Sequence, residues 1–313
     1  MAVIWIVGGG LIGCGWAVAF AGAGHNTVVI DPAPETQHRL EQTWQNGQAV
    51  LKQLGQLKAG AVAPVWAASA AAAGTAPDLV QEALPEQIAL KATALAQLEP
   101  YLREDTIIAS SSSGLSPDAI GEKLRHPERL LIAHPCNPPY LMPVVELCGG
   151  AQTGSAMLEQ AEQLYTTMGK TVLKLSRPVA GHLVNRLQAA LWREAVHLAA
   201  EGIASVSDIE RAVSEGLAPR WCFVGPTGVF HLAGAEGGIR RCVEQLGTEF
   251  EHWWDDLGAP KLDDGTTDIL ARGMIAHDPR PVAAIAADRD RNVAALLAVL
   301  QENKIKSRQA GNA

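Results

Sequence analysis

The first 24 residues carry no Asp, Glu, Lys or Arg, and glycines at 8, 9, 10, 13, 15, 22 and 24 interrupt them. A segment this apolar must leave water, either in a membrane or in a protein interior. A membrane span needs about 20 unbroken apolar residues in one helix, which the glycine clusters oppose. A secretory leader would begin with basic residues, and this segment has none. What remains is a buried strand at Val3–Val7, a glycine turn and a buried helix at Leu11–Ala23. Uncharged strands and helices bury all their faces when helices cover both sides of a parallel sheet. The expected class is α/β, in a soluble cytoplasmic protein with no membrane contact.

The turn reads Gly8-Gly9-Gly10-Leu11-Ile12-Gly13. It fits the G-x-G-x-x-G pattern of a dinucleotide site, in the strand–turn–helix context that pattern requires. Gly8 permits the tight turn, Gly10 lets the backbone approach a pyrophosphate, and Gly13 lets helix and sheet pack closely. Leu11 and Ile12 open the helix, whose free N–H groups and positive end suit phosphate. A second strand at Thr27–Ile30 ends at Asp31. A carboxylate there accepts hydrogen bonds from a ribose 2′-OH and repels a 2′-phosphate. The next residues, Pro32-Ala33-Pro34-Glu35, bring no Arg, so NAD is expected over NADP.

Further along, residues 35–57 read as one bent helix or a pair, and 67–76 as a short surface helix. Strand-like runs at 78–83, 106–109, 129–133, 144–147 and 170–175 alternate with helical ones at 86–99, 116–124 and 153–168. That alternation predicts a Rossmann-type doubly wound parallel sheet. After Ser176-Arg177-Pro178 the strand signals stop, and helices are expected at 182–202, 206–216, 225–247 and beyond 280. The reading is an NAD-binding domain over 1–180 and an all-helical substrate and dimerisation domain over 181–313. The polar tail from Lys304 is expected to fray.

Composition narrows the partners. A net charge of −8 without a Lys/Arg run speaks against nucleic acid and anionic membranes. Cys14, Cys136, Cys148, Cys222 and Cys242 are scattered, with no Cys-x-x-Cys pair, which fits a reducing compartment without a disulfide framework. Cys136 reads as a small apolar filler. His126 and His134 lack ligand-like spacing with any Cys, so no metal is expected. Ser112 and Ser113 lie in no Gly-x-Ser-x-Gly elbow, which argues against a serine hydrolase.

Open α/β sheets bind ligands outside the carboxyl ends of their strands. Glu82–Glu86, Ser110–Ser113 and His134 all fall at such ends. Oxidising an alcohol removes a proton from oxygen and a hydride from carbon. His134 suits the base, because an imidazole ordinarily titrates near working pH. Glu146, at the far end of the proline-stiffened run 134–147, suits a partner that stabilises the imidazolium, and Ser113 suits a hydrogen bond to the substrate oxygen.

Gly8–Gly13, Asp31, Glu86, Lys91, Ser113, His134, Asn137, Pro138, Glu146 and the run Gly181-His182-Leu183-Val184-Asn185-Arg186-Leu187 together resemble the 3-hydroxyacyl-CoA dehydrogenase family. The resemblance implies His134 as catalytic base, Glu146 as its partner, and Ser113 and Asn185 as the groups that hold the reacting oxygen. It also implies Glu86, Lys91, Ser113 and Asn137 beside the cofactor, and a helical second domain that dimerises. Ser110–Ser113, His134–Tyr140 and Arg220-Trp221-x-Phe223-x-Gly225-Pro226 are similar to the lambda-crystallin branch, whose activity is L-gulonate 3-dehydrogenation. His231–Gly234 with Glu236–Gly238 is similar to L-carnitine dehydrogenase.

Both branches act on free 3-hydroxy acids, and Cys136 stands where the thioester enzymes usually carry Phe. A free acid needs a carboxylate partner, and Arg220 offers a bidentate guanidinium, unless it serves an interdomain or dimer ion pair. The expected activity is therefore NAD-dependent oxidation of a free 3-hydroxy acid. Gulonate, carnitine, 3-hydroxybutyrate and an aromatic or pyridine alcohol stay open as substrates. A short-chain 3-hydroxyacyl-CoA dehydrogenase is one rival, and an NAD-binding structural protein of crystallin type is another. Trp221, Phe223, Trp253 and Trp254 suit either a pocket wall or the helical core.

Overall fold

The computed structural model of the chain describes residues 1–310, with side chains through residue 303. The chain begins as read: strand β1 (Val3–Val7), helix α1 (Leu11–Gly22) and strand β2 (Asn26–Ile30). Helix α2 (Glu35–Gln53) is single. Then follow β3 (Val65–Ala67), β4 (Leu79–Glu82), α3 (Ile88–Leu98), β5 (Ile107–Ser110), the short α4 (Pro117–Ile120), β6 (Leu130–Pro135), β7 (Val144–Gly149), α5 (Ser155–Thr167) and β8 (Thr171–Lys174).

These strands form one eight-stranded sheet in the order β3-β2-β1-β4-β5-β6-β7-β8. The order reverses direction between β1 and β4, which is where such sheets open a crevice for ligands. Side chains alternate across β1. Ile4 and Ile6 join a core with Trp16, Phe20, Leu79 and Tyr165 on one face. Trp5 and Val7 join Val80, Leu95, Ile108 and Leu130 on the other. The strand is apolar throughout because both faces are covered.

Two features depart from the sequence reading. The stretch at 67–76 is not a helix. Its first residue, Ala67, ends the edge strand β3, which pairs in parallel with β2, and only Ala70–Ala72 make a single 3-10 turn. The sheet is also not wholly parallel, because β7 runs antiparallel to β6. The link between them is too short for the crossover of a dozen or more residues that a parallel return needs. This hairpin sets His134 directly opposite Glu146.

Beyond β8 all described elements are helical: α6 (Val184–Ala200), α7 (Val206–Arg211), α8 (Ala218–Trp221), α9 (Pro226–Ala233), α10 (Gly238–Asp256), α11 (Asp264–His277) and α12 (Val282–Ala310). The stretch 225–247, read as one helix, is two. Left-handed backbone at Ala235 (φ 49°) and Gly238 (φ 59°) breaks it. The chain divides into two compact units. One is Met1–Arg186 with Asp290–Ala298, and the other is Leu187–Arg289 with the chain from Val299 onward. The first turn of α6 stays with the sheet because Leu183 and Val184 donate to Glu146. The tail from Lys304, expected to fray, lies outside the residues whose side chains are described. Among the described residues no helix is long and apolar enough to cross a membrane.

Candidate active site

The glycine turn is held from two sides. Gly8 takes φ 101° and its amide donates to the Ile30 carbonyl at 3.0 Å. A Cβ on Gly13 would sit 1.8 Å from the Gly8 carbonyl oxygen, a backbone atom that cannot yield. A Cβ on Gly10, in contrast, would meet no atom within 4 Å. Gly10 is the N-cap of α1 and offers no side-chain cap, and Leu11 beside it is 68% exposed. An uncapped helix N-terminus beside open space fits a dinucleotide pyrophosphate.

Asp31 follows β2. Its carboxylate accepts from the Gly9 amide at 2.7 Å and from the Ala33 amide at 2.9 Å, one bond on each oxygen, so each keeps a lone pair for a ribose hydroxyl. The residues directly after Asp31 bring no Arg, but one reaches back to the turn from further along. Arg39 donates to the Gly9 carbonyl at 2.7 Å. Because α2 starts at Glu35, Arg39 lies one turn into that helix, and its long side chain returns to the loop.

His134 and Glu146 form the centre. Both are buried, His134 at 5% exposure and Glu146 at 0%. His134 Nδ1 donates to Glu146 Oε2 at 2.8 Å. Only a carboxylate faces Nδ1, so the proton sits there and Nε2 keeps its lone pair. Nε2 lies 3.1 Å from Ser113 Oγ. Glu146 Oε1 accepts the amides of Leu183 at 2.7 Å and Val184 at 2.9 Å, at the N-terminus of α6. Burial pushes the Glu146 carboxyl up, but the His134 and amide hydrogen bonds outweigh it and hold the group below its ordinary value. A buried carboxylate therefore stays charged behind the imidazole.

Ser113 is held by Glu86. Glu86 Oε1 accepts from Ser112 Oγ at 2.5 Å and from the amides of Ser113 at 3.0 Å and Gly114 at 2.9 Å. Burial raises the Glu86 carboxyl. The bonds from Ser112 and Gly114, with the charge of Lys91, outweigh it and hold the group low. Lys91 is 1% exposed. Its ammonium reaches Glu82 at 2.7 Å, the Leu84 carbonyl at 2.9 Å and Glu86 at 3.5 Å. Glu82 also accepts from Ser110. The carboxyl ends of β4, β5 and β6 thus meet in one network beside the glycine turn.

Asn137 is exposed in the loop after β6, and Asn185 is half-buried in the first turn of α6. Arg220 is exposed on α8, in the second unit. Phe223, Trp253 and Trp254 are 63%, 54% and 66% exposed, so they do not fill a helical core. Cys136 is half-buried. Burial, and then the Glu146 charge, push its thiol up, which suits a filler and not a nucleophile.

Besides Arg39, Lys170 and His182 had no role of their own in the sequence reading. Lys170 fastens the 136–143 loop by donating to the carbonyls of Pro139 and of Met142, the latter at 2.8 Å. Burial lowers its ammonium to about 8. His182 is 1% exposed and its ring centre lies 5.0 Å from that of His134. The glycine before it was the available signal, since Gly181 takes φ 76°.

Residues 3–177 match the model of the 3-hydroxyacyl-CoA dehydrogenase NAD-binding domain, and residues 181–262 match that of the family's C-terminal domain. L-carnitine dehydrogenase of Nocardiopsis dassonvillei is 38% identical over 95% of this chain and 91% of its own length. L-carnitine dehydrogenase of Oceanobacillus iheyensis is 35% identical over 96% of this chain and 99% of its own. Among solved structures, an NAD+-dependent 5-formyl-3-hydroxy-2-methylpyridine 4-carboxylic acid 5-dehydrogenase superposes with a TM-score of 0.85. It is 26% identical and covers 96% of this chain and 98% of its own. With both family domains in order and an NAD site at its start, this chain belongs to the 3-hydroxyacyl-CoA dehydrogenase family and is an NAD-dependent dehydrogenase.

Proposed function

We propose that the protein oxidises the 3-hydroxyl of a free 3-hydroxy acid, with L-carnitine ahead of L-gulonate as the substrate. The observation that carries the chemistry is His134, set between Ser113 at 3.1 Å and Glu146 at 2.8 Å. Bound NAD+ supplies the hydride acceptor. His134 Nε2 takes the hydroxyl proton as the C3–H bond breaks and the C=O forms. Glu146 stabilises the imidazolium, and Ser113 and Asn185 hold the oxygen. Gly8, Gly10, Leu11, Ile12, Gly13, Asp31, Ser113 and Asn137 would hold the cofactor, with Glu86 and Lys91 near its nicotinamide end. Glu86 and Lys91 do this by shaping the serine loop, because Lys91 is itself buried.

Three points favour an acid over a thioester. The full-length relatives cited are L-carnitine dehydrogenases. The structure with TM-score 0.85 acts on a pyridine carboxylic acid, by its own description. Cys136 replaces the Phe usual in thioester enzymes. Arg220 is the proposed carboxylate partner. A homodimer through the helical half is the proposed assembly, as the family resemblance implies, and Trp192, Leu232 and Trp254 are exposed in that half.

His134→Gln tests the mechanism. It should lower kcat by roughly 10²–10⁴ while NADH binding, followed by fluorescence, stays intact. Turnover near wild type would remove His134 as the base.

A further inference from the structure

The turn before α6 touches every member of the reacting group. The Gly181 amide donates to the Ser113 carbonyl at 2.8 Å. His182 Nε2 lies 2.8 Å from the Ser112 carbonyl. The Leu183 and Val184 amides donate to Glu146. The His182 ring also packs against the His134 ring, tilted by 47°. Residues 181–184 therefore clamp the serine loop, the imidazole and the carboxylate together.

His182 is an expensive residue for that place. Its backbone takes φ 46°, which a non-glycine residue holds only when its surroundings over-determine it. Its Nδ1 is buried without a hydrogen-bond partner. A phenylalanine would fill the same volume without stranding a nitrogen, so packing alone does not account for an imidazole. The one hydrogen bond the ring makes is to Ser112. A carbonyl only accepts, so the proton sits on Nε2 and the bare lone pair on Nδ1.

We infer that His182 is a positioning residue: through its bond to the Ser112 carbonyl it sets the Ser113 hydroxyl against His134 Nε2. The inference rests on His134 being the base. Misplacing a reacting group by about 1 Å costs on the order of 10²-fold in rate without loss of binding. His182→Phe keeps the ring and removes the Ser112 bond. His182→Gln places a donor where Nε2 was and removes the ring.

The test joins kinetics to histidine NMR. His182→Phe should lower kcat by about 10- to 100-fold with NADH affinity unchanged, and His182→Gln should recover most of the loss. In ¹⁵N-histidine-labelled wild-type protein, the signals lost in His182→Phe should show the Nε2–H tautomer, and the His134 ring nitrogens should shift in that variant. Wild-type kcat in His182→Phe, an equal loss in both variants, or an Nδ1–H tautomer at His182 would overturn the inference. The NMR arm needs no turnover. Failure of the wild-type protein to oxidise any hydroxy acid would defeat the proposed reaction and the inference with it, whereas turnover in wild type with an unaffected His182→Phe would defeat the inference alone.

Discussion

Replacing Glu146 by Gln isolates the electrostatic half of the site. The amide oxygen can still accept from Leu183 and Val184, so the start of α6 keeps its cap. The amide nitrogen then faces His134 Nδ1, where an acceptor stood at 2.8 Å. A donor there draws the lone pair to Nδ1 and drives the proton to Nε2, the wrong tautomer for a base. The negative charge that stabilised the imidazolium is also lost. At a charge separation of about 4 Å and an effective dielectric of about 20, that charge contributes about 4 kcal/mol. By transition-state arithmetic this is about 10³ in kcat.

NADH formation under saturating NAD+ and acid reads the effect. Single-turnover mixing separates hydride transfer from product release. The double variant Glu146→Gln/His134→Gln should lose little more than the worse single variant, because the two act as a unit. A Glu146→Gln enzyme within about fivefold of wild type in single turnover would refute the reasoning, since it would mean that the carboxylate carries no reaction charge.

The other expectations concern the cofactor site, pH and substrate. Gly13→Ala should lower the melting temperature, since its Cβ would lie 1.8 Å from the Gly8 carbonyl. Gly10→Ala should leave melting unchanged and weaken NADH binding by about tenfold or more, and wild-type binding there would remove Gly10 from the pyrophosphate cradle. Asp31→Asn keeps an acceptor for only one of the Gly9 and Ala33 amides and removes the charge, so the preference for NAD+ over NADP+ should fall about tenfold or more. An unchanged ratio would contradict that role.

Glu86 and Glu146 are held below the ordinary carboxyl value of 4.5. Their contribution to stability is thus present above that pH and is lost as pH falls through their lower folded values. Melting followed between pH 6 and 3 should fall less steeply in Glu146→Gln than in wild type, and parallel curves would dispute the assignment. Arg220→Met should raise KM for the acid, and an unchanged KM would remove Arg220 from the site.

The first half of the chain was legible because its signals are local. An uncharged strand, a glycine turn and Asp31 at the end of the second strand specify their own conformations, and β1, α1 and β2 form there. His134, Ser113 and Glu86 were legible as separate clusters at strand ends. Their actual contacts depend on tertiary register, which no local pattern encodes. The antiparallel return of β7 puts Glu146 opposite His134, whereas a parallel sheet was expected. β3 was hidden because an edge strand of three residues, Val65–Ala67, is too short to show a period, although its Val and Trp favour strands. Arg39 and Lys170 reach their partners through long side chains from elements distant in sequence. His182 was read only as part of a motif, because its strained backbone and its contact with His134 exist only after folding.

The central claim is best tested by side-by-side initial rates of NADH formation with L-carnitine, L-gulonate, 3-hydroxybutyrate and a short-chain 3-hydroxyacyl-CoA, at equal concentration and saturating NAD+. The expected result is kcat/KM for a free acid, carnitine first, at least about tenfold above the thioester, a gap of about 1.4 kcal/mol in transition-state binding. A thioester oxidised faster than every free acid would contradict the reading.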